Sequence, residues 1–231
     1  MMAWARTWLF NAAFFAGSVV IVLLAPVAAL FGSRALRWWV VFWTRYHRFC
    51  ARWIQGVRVV VSGEIASTPA LYAGKHQAMF ETLEMVALLD APVIILKKEL
   101  AAIPVWGWAA RRYGMIVVDR EGSSAALRQM MRDAEAAGAS GRSVVIFPEG
   151  TRVAPGETPP LKPGFAGLYR ALKMPLVPVA IDSGTAWPRH GPRHPGVIRF
   201  AFQPPIAPGL NRREVERLVH GGINVLEPPA V

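Results

Sequence analysis

The polar and apolar positions of this chain divide it at about residue 56. From Thr7 to Ser33 no charged residue interrupts TWLFNAAFFAGSVVIVLLAPVAALFGS. A helix over most of that run would be on the order of 35 Å long, against a hydrocarbon core of about 30 Å. The run is too long for a cleaved signal peptide, and the segment after it is itself membrane-like. Gly17 and Pro26 weaken the helix and leave room for a bend. Next comes SRALRWWVVFWTRYHRFCARWIQG, which interleaves Arg34, Arg37, Arg45, Arg48 and Arg52 with Trp38, Trp39, Trp43 and Trp53 and contains no acid. Indole and guanidinium together favour the headgroup layer. Residues 1–56 are therefore expected to form a membrane-anchoring helix pair, spanning once or dipping into one leaflet as a hairpin. If the pair spans, the arginines after Gly32 outweigh Arg6 and put residues 57–231 on the cytoplasmic side of the inner membrane.

From Val57 onward the pattern becomes an alternation. The runs VRVVVSG, ALYAGK, APVIILKK, GMIVVDR, SVVIFPE, LVPVAIDSG and VIRFAFQ are rich in Val and Ile and end at Gly, Pro or a charge, as buried strands do. Between them lie helical stretches: ETLEMVALL, the segment from Ser123 to Ala137, and FAGLYRALK. Leu127, Met130, Met131 and Ala134 repeat at helical spacing as a core-facing stripe. Asn211 and Glu214 form a capping-box pattern at the start of a last helix, NRREVERLVHG. This alternation predicts an α/β fold, a largely parallel mixed sheet flanked by helices.

Composition narrows the partners. Hydrophobic content is 53%, with the excess at the N-terminus, and 26 basic against 15 acidic residues give a net charge of +11. Such a balance predicts an anionic partner. Nucleic acid is not expected, because there is no zinc-finger, recognition-helix or aromatic-platform signature. Lipid headgroups, a phosphorylated substrate or an acidic carrier protein remain. Cys50 is the single cysteine, so no intrachain disulfide can form, which suits a reducing compartment.

The candidate chemistry is set by where the strands end, because open α/β sheets bind ligands at the carboxyl ends of their strands. His76 follows ALYAGK, Lys97 and Lys98 follow VIIL, Asp119 and Arg120 follow MIVV, and Glu149, Gly150, Thr151 and Arg152 follow VVIF. Glu81 sits in the first turn of the helix after His76. From there its carboxylate can hold one imidazole nitrogen protonated and leave the other free to accept a proton. A base with an orienting acid, beside a polar turn suited to a phosphate, is equipped to activate a hydroxyl on a phosphorylated substrate.

These residues resemble the glycerolipid acyltransferases typified by 1-acylglycerol-3-phosphate acyltransferase. That family's H-x-x-x-x-D motif looks like His76 to Glu81, with Glu in place of Asp, and its F-P-E-G-T-R motif stands in full at Phe147 to Arg152. Lys97 to Gly107 is similar to the family's basic, Pro- and Gly-containing motif, and Val177 to Ile181 to its Pro-bearing strand. The likeness runs from about Val57 to Ile206.

The resemblance implies acyl transfer from an acyl thioester to the free hydroxyl of lysophosphatidic acid, with no acyl-enzyme. His76 would be the general base oriented by Glu81. Arg152, Thr151 and the Gly150 backbone would hold the acceptor phosphate, and Glu149 would contact glycerol oxygens or brace the turn. Lys97 and Arg120 would be secondary phosphate ligands or solvated strand-end charges. The donor is acyl-CoA or acyl carrier protein. Another lyso-lipid acceptor is the nearest alternative, a lyso-ornithine lipid or a lysophospholipid in remodelling. A non-catalytic membrane protein that binds anionic lipid is an alternative of another class.

Rival chemistries are poorly served. The chain has no G-x-S-x-G elbow, no G-x-x-x-x-G-K-[ST] loop and no G-x-G-x-x-G. No cofactor and no metal are expected. His190 and His194 have a zinc-like interval, but Gly191, Pro192 and Pro195 rule out a regular helix and make them loop residues. Cys50 is expected to serve packing.

Overall fold

The structure, a computed structural model, describes residues 1–118 and 124–228. Two long helices come first, α1 (Met2–Leu30) and α2 (Ser33–Cys50), and a π-helical turn over Ala51–Gln55 leads into the sheet. Next are β1 (Val57–Ser62), β2 (Leu71–Gly74), α3 (Phe80–Leu88), β3 (Val93–Lys97), α4 (Lys98–Ala101), α5 (Trp106–Tyr113), β4 (Ile116–Val118), α6 (Ser124–Ala139) and β5 (Val144–Ile146). The chain continues with α7 (Gly164–Leu172), β6 (Leu176–Ile181), α8 (Ser183–Ala186), β7 (Gly196–Phe202) and α9 (Arg212–Ile223). All seven expected strands form. Asn211 caps α9 as its sequence predicts, accepting the Glu214 N–H at 3.0 Å.

The strands make one sheet in the order β1-β7-β6-β2-β5-β3-β4. β6, β2, β5, β3 and β4 run parallel, while β7 is antiparallel to β6 and carries β1 parallel to itself. The sheet is therefore mixed but largely parallel. Alternate residues of each central strand enter different cores, as the two-residue period of a strand requires. Tyr72, Ile94, Val145, Val177 and Val179 pack with α1, α2, α3 and α5 on one face. Leu71, Ala73, Val93, Val144, Ile146 and Leu176 pack with α6, α7 and α9 on the other. Both faces are covered, so β2 and β6 are buried along their whole length. Of the expected stripe on α6, Met130 and Ala134 are buried and Met131 is half-buried, whereas the Leu127 side chain lies outside the described residues.

Among the described residues α1 is the one helix long and apolar enough to cross a membrane. It runs unbroken through Gly17 and Pro26, and α2 returns beside it after a turn at Gly32. Gly17 marks a close approach: a Cβ there would sit 2.3 Å from the Tyr46 hydroxyl, which donates to the Ala13 carbonyl at 2.6 Å. Trp39 Nε1 donates to the Ile21 carbonyl at 2.7 Å and Trp43 Nε1 to Ser18 Oγ at 2.8 Å. These two indoles tie the hairpin together, while Trp38 and Trp53 point outward.

The hairpin also belongs to the main core. One stripe of α1, comprising Thr7, Phe10, Phe14, Ser18, Ile21 and Ala25, is buried. Phe10 packs edge-on against Trp187, and Arg193 lies over both rings while donating to Asn11 Oδ1 at 2.6 Å. The stripe from Thr7 to Ala25 covers about 27 Å of helix. The opposite side exposes Trp8, Phe15, Val19, Leu23 and Val27. Arg48 of α2 reaches the fully buried Glu84 of α3 at 2.5 Å.

Candidate active site

Strand order explains why residues far apart in the chain meet. β2 lies between β5 and β6, and all three run the same way. The residues just past the end of β2 are therefore flanked by those just past the ends of β5 and β6. His76 comes after β2, Glu149 after β5 and Ser183 after β6.

His76 is held from every side. Its N–H donates to Glu149 Oε2 at 2.8 Å, and its carbonyl accepts the Val153 N–H at 2.8 Å. The imidazole stacks on Phe147, with centroids 4.3 Å apart and planes 26° apart. Nδ1 lies 2.9 Å from Glu81 Oε1. With a carboxylate as partner Nδ1 carries the proton, which leaves the lone pair on Nε2. The side chain is 12% exposed, enough to meet a ligand from one side.

Glu81 is fully buried, and its carboxylate is matched by four donors. Oε1 accepts the Gln77 and Ala78 N–H groups at 2.7 and 2.6 Å as well as His76 Nδ1, and Oε2 accepts Ser183 Oγ at 2.7 Å. Its place in the first turn of α3 adds the favourable end of the helix dipole. The carboxylate has one orientation open to it, and the imidazole inherits that orientation.

The second motif forms a tight turn. Gly150 N–H donates to the Phe147 carbonyl at 3.0 Å, and Gly150 has φ +72°, where a Cβ would also fall 2.8 Å from Lys162 Cγ. Glycine is needed there. Thr151 and Arg152, next along, are exposed. Glu149 points inward: Oε1 is 2.8 Å from the buried Lys75 ammonium and Oε2 takes the His76 N–H. Burial pushes the Glu149 carboxyl upward, against the opposing pull of Lys75 and the His76 N–H. Both oxygens are thus engaged in bracing the turn.

Lys97 ends β3, two strand positions and so on the order of 10 Å from β2, at the same sheet edge. It is half exposed and pairs with Glu99 at 3.0 Å. Arg120 lies outside the described residues. His190 and His194 fall in the loop between α8 and β7, and Cys50 is buried.

Several residues of the site were not singled out in the sequence. Ser183 stands two positions past the end of β6, as His76 does past β2, and is open to the same strand-end argument. Phe147 lay inside a quoted motif with no task assigned to it. Lys75 and Gln77 flank His76, yet nothing local distinguishes them from surface residues. Glu227 gives no sequence signal.

Comparison with known proteins bears on the family and the fold. A family model described as Acyltransferase matches residues 57–182. A Pseudomonas aeruginosa protein named 1-acyl-sn-glycerol-3-phosphate acyltransferase is 30% identical over 214 residues, which is 91% of this chain and 82% of that protein. A Saccharomyces cerevisiae protein of the same name is 26% identical over 192 residues, 80% of this chain and 63% of its own length. In fold the chain matches the crystal structure of the Thermotoga maritima 1-acyl-sn-glycerophosphate (LPA) acyltransferase, PlsC. The TM-score is 0.76 at 21% identity, covering 96% of this chain and 94% of that one.

Proposed function

This chain belongs to the acyltransferase family, and from that premise we propose that it acylates 1-acylglycerol-3-phosphate at a membrane, giving phosphatidic acid. The observation that carries the reading is the His76–Glu81 contact of 2.9 Å beside the Phe147–Arg152 turn. It supplies a base whose free nitrogen and whose neighbouring guanidinium suit the two ends of a phosphorylated glycerol.

The free hydroxyl of the acceptor attacks the carbonyl carbon of the acyl thioester. As the C–O bond forms, the hydroxyl proton passes to His76 Nε2, and the imidazolium is stabilised by the Glu81 carboxylate. The tetrahedral intermediate collapses, the C–S bond breaks, and the thiolate leaves with the proton from His76. No acyl-enzyme is needed. A general base of this kind contributes about 10²–10⁴ in rate.

Arg152, with Thr151 and the Gly150 backbone, binds the acceptor phosphate, for which a planar guanidinium on an exposed turn is suited. Lys97 adds positive charge at the same edge, and Arg120 is the other candidate. Glu149, occupied by Lys75 and the His76 N–H, is assigned to bracing the turn. The exposed apolar side of α1, the outward Trp38 and Trp53 and the arginines of α2 set the hairpin against a lipid surface, with the catalytic part on the cytoplasmic side.

Purified protein should be assayed with lysophosphatidic acid, a lyso-ornithine lipid and neutral lysophospholipids, each with acyl-CoA and with acyl carrier protein thioester. Turnover of lysophosphatidic acid well above the other acceptors is expected with at least one donor. Binding to anionic lipid without turnover of any acceptor would contradict the proposal.

A further inference from the structure

The chemistry above leaves a buried polar cluster without a task. Lys75 is fully buried immediately before His76. A buried ammonium is costly unless its donors are matched. Here Nζ meets Glu149 Oε1 at 2.8 Å, the Glu157 carbonyl at 2.5 Å and Asn224 Oδ1 at 2.7 Å, with Glu227 Oε1 at 3.8 Å. Glu227 in turn accepts Gln77 Nε2 on Oε1 at 2.5 Å and the Gly156 N–H on Oε2 at 2.5 Å. Gln77 completes the set, accepting the Gly184 N–H at 2.8 Å.

The residues on either side of His76 are thus bound by one carboxylate from the segment after α9. The same carboxylate holds the loop beyond Arg152. Asn224 and Glu227 lie outside residues 57–182, the part matched by the family model. Resting on the acyltransferase reading, we propose that Glu227, acting with Lys75, is a positioning residue for the reaction. It fastens the His76 segment to the 153–157 loop and so fixes the separation of the base from the phosphate-binding turn. Neither residue touches substrate. Their effect reaches the chemistry through the backbone of His76, whose N–H and C=O are bonded to Glu149 and Val153, residues on either side of the turn.

A fastening that serves only stability would alter the melting temperature and leave the chemical step alone. One that sets the base should alter kcat more than KM, because misplacement of a reacting group by about 1 Å costs on the order of 100-fold. The experiment is steady-state kinetics of Glu227→Gln and Glu227→Asp with lysophosphatidic acid and an acyl thioester, well below the melting temperature. Gln puts an amide nitrogen against the Gln77 or Gly156 donor, whereas Asp keeps the charge. Glu227→Gln is expected to lower kcat about tenfold or more while the acceptor KM moves by less than about threefold, with Asp intermediate. If Glu227→Gln is not recovered folded, Gln77→Ala cuts the same link from the other side and should show the same kcat-weighted loss. A kcat within twofold of wild type, or Asp as impaired as Gln, overturns the proposal. A wild-type protein inactive on every acceptor counts against the acyltransferase reading instead.

Discussion

In the proposed mechanism a single carboxylate, Glu81, sets His76 up as a base. Four donors converge on it, two of them backbone N–H groups, so the charge is matched without solvent. Glu81→Gln replaces one oxygen with a donor that faces donors and removes the partner of an imidazolium. The expected loss in kcat is about 10²-fold or more, with a stability cost of about 1–3 kcal/mol from buried groups left unmatched. Glu81→Asp keeps the charge but shortens the arm by one methylene, so it should retain more activity than Gln. Gln retaining as much as Asp in a kcat measurement would reduce Glu81 to a helix-start residue. The pairing of His76 with Glu81 was legible because it is local, five positions along one strand-to-helix turn. Ser183, 102 positions further on, completes the same carboxylate through strand order, which a linear pattern does not reveal. Of the two tasks offered for Glu149, its contacts with Lys75 and the His76 N–H favour bracing the turn.

The elements were legible to different degrees for physical reasons. The central strands β2, β5 and β6 are buried along their whole length because both faces of the sheet are covered there, and their apolar runs stand out from the flanking sequence. α4, α5 and α8 are four to eight residues long, too short for an amphipathic period to show. The contact of α2 with α3 was hidden as well, since Arg48 looked like one of five interfacial arginines and Glu84 like one helix acid. Burial pushes the Glu84 carboxyl above its usual value of 4.5, and Arg48 only partly opposes it. A carboxyl whose folded value is raised gives stability that is present below its unfolded value and lost as pH rises through the folded one. The melting-temperature difference between wild type and Glu84→Gln should therefore shift against wild type between pH 4 and pH 8. A difference that shifts toward wild type over that range would mean the Arg48 pairing outweighs burial.

At the scale of the whole molecule, residues on either side of the division at residue 56 share a core. Phe10, Phe14, Leu36 and Val41 are buried with Phe80, Trp187 and Phe200 in one cluster. Each large apolar side chain so placed is worth about 1.5–3 kcal/mol relative to exposure. A chain beginning at Ser33 should therefore lose the cooperative melting of the full chain in the same detergent, rather than behave as a catalytic domain freed from its anchor. Retention of the full melting temperature would show that α1 is dispensable to the fold. The packed stripe and the exposed apolar side of α1 together make the hairpin a platform on which the sheet sits, and the basic charge of the chain suits an anionic surface beneath it.

The proposed reaction turns on acid–base catalysis by one imidazole, His76, held just past the end of β2. The most direct test is single-turnover acyl transfer to lysophosphatidic acid by wild type and by His76→Ala, with the melting temperature of each recorded alongside. The expected variant melts within a few degrees of wild type, binds lipid vesicles equally and transfers acyl groups about 10²–10⁴-fold more slowly. A folded His76→Ala protein that turns over at near the wild-type rate would contradict a general-base role for His76.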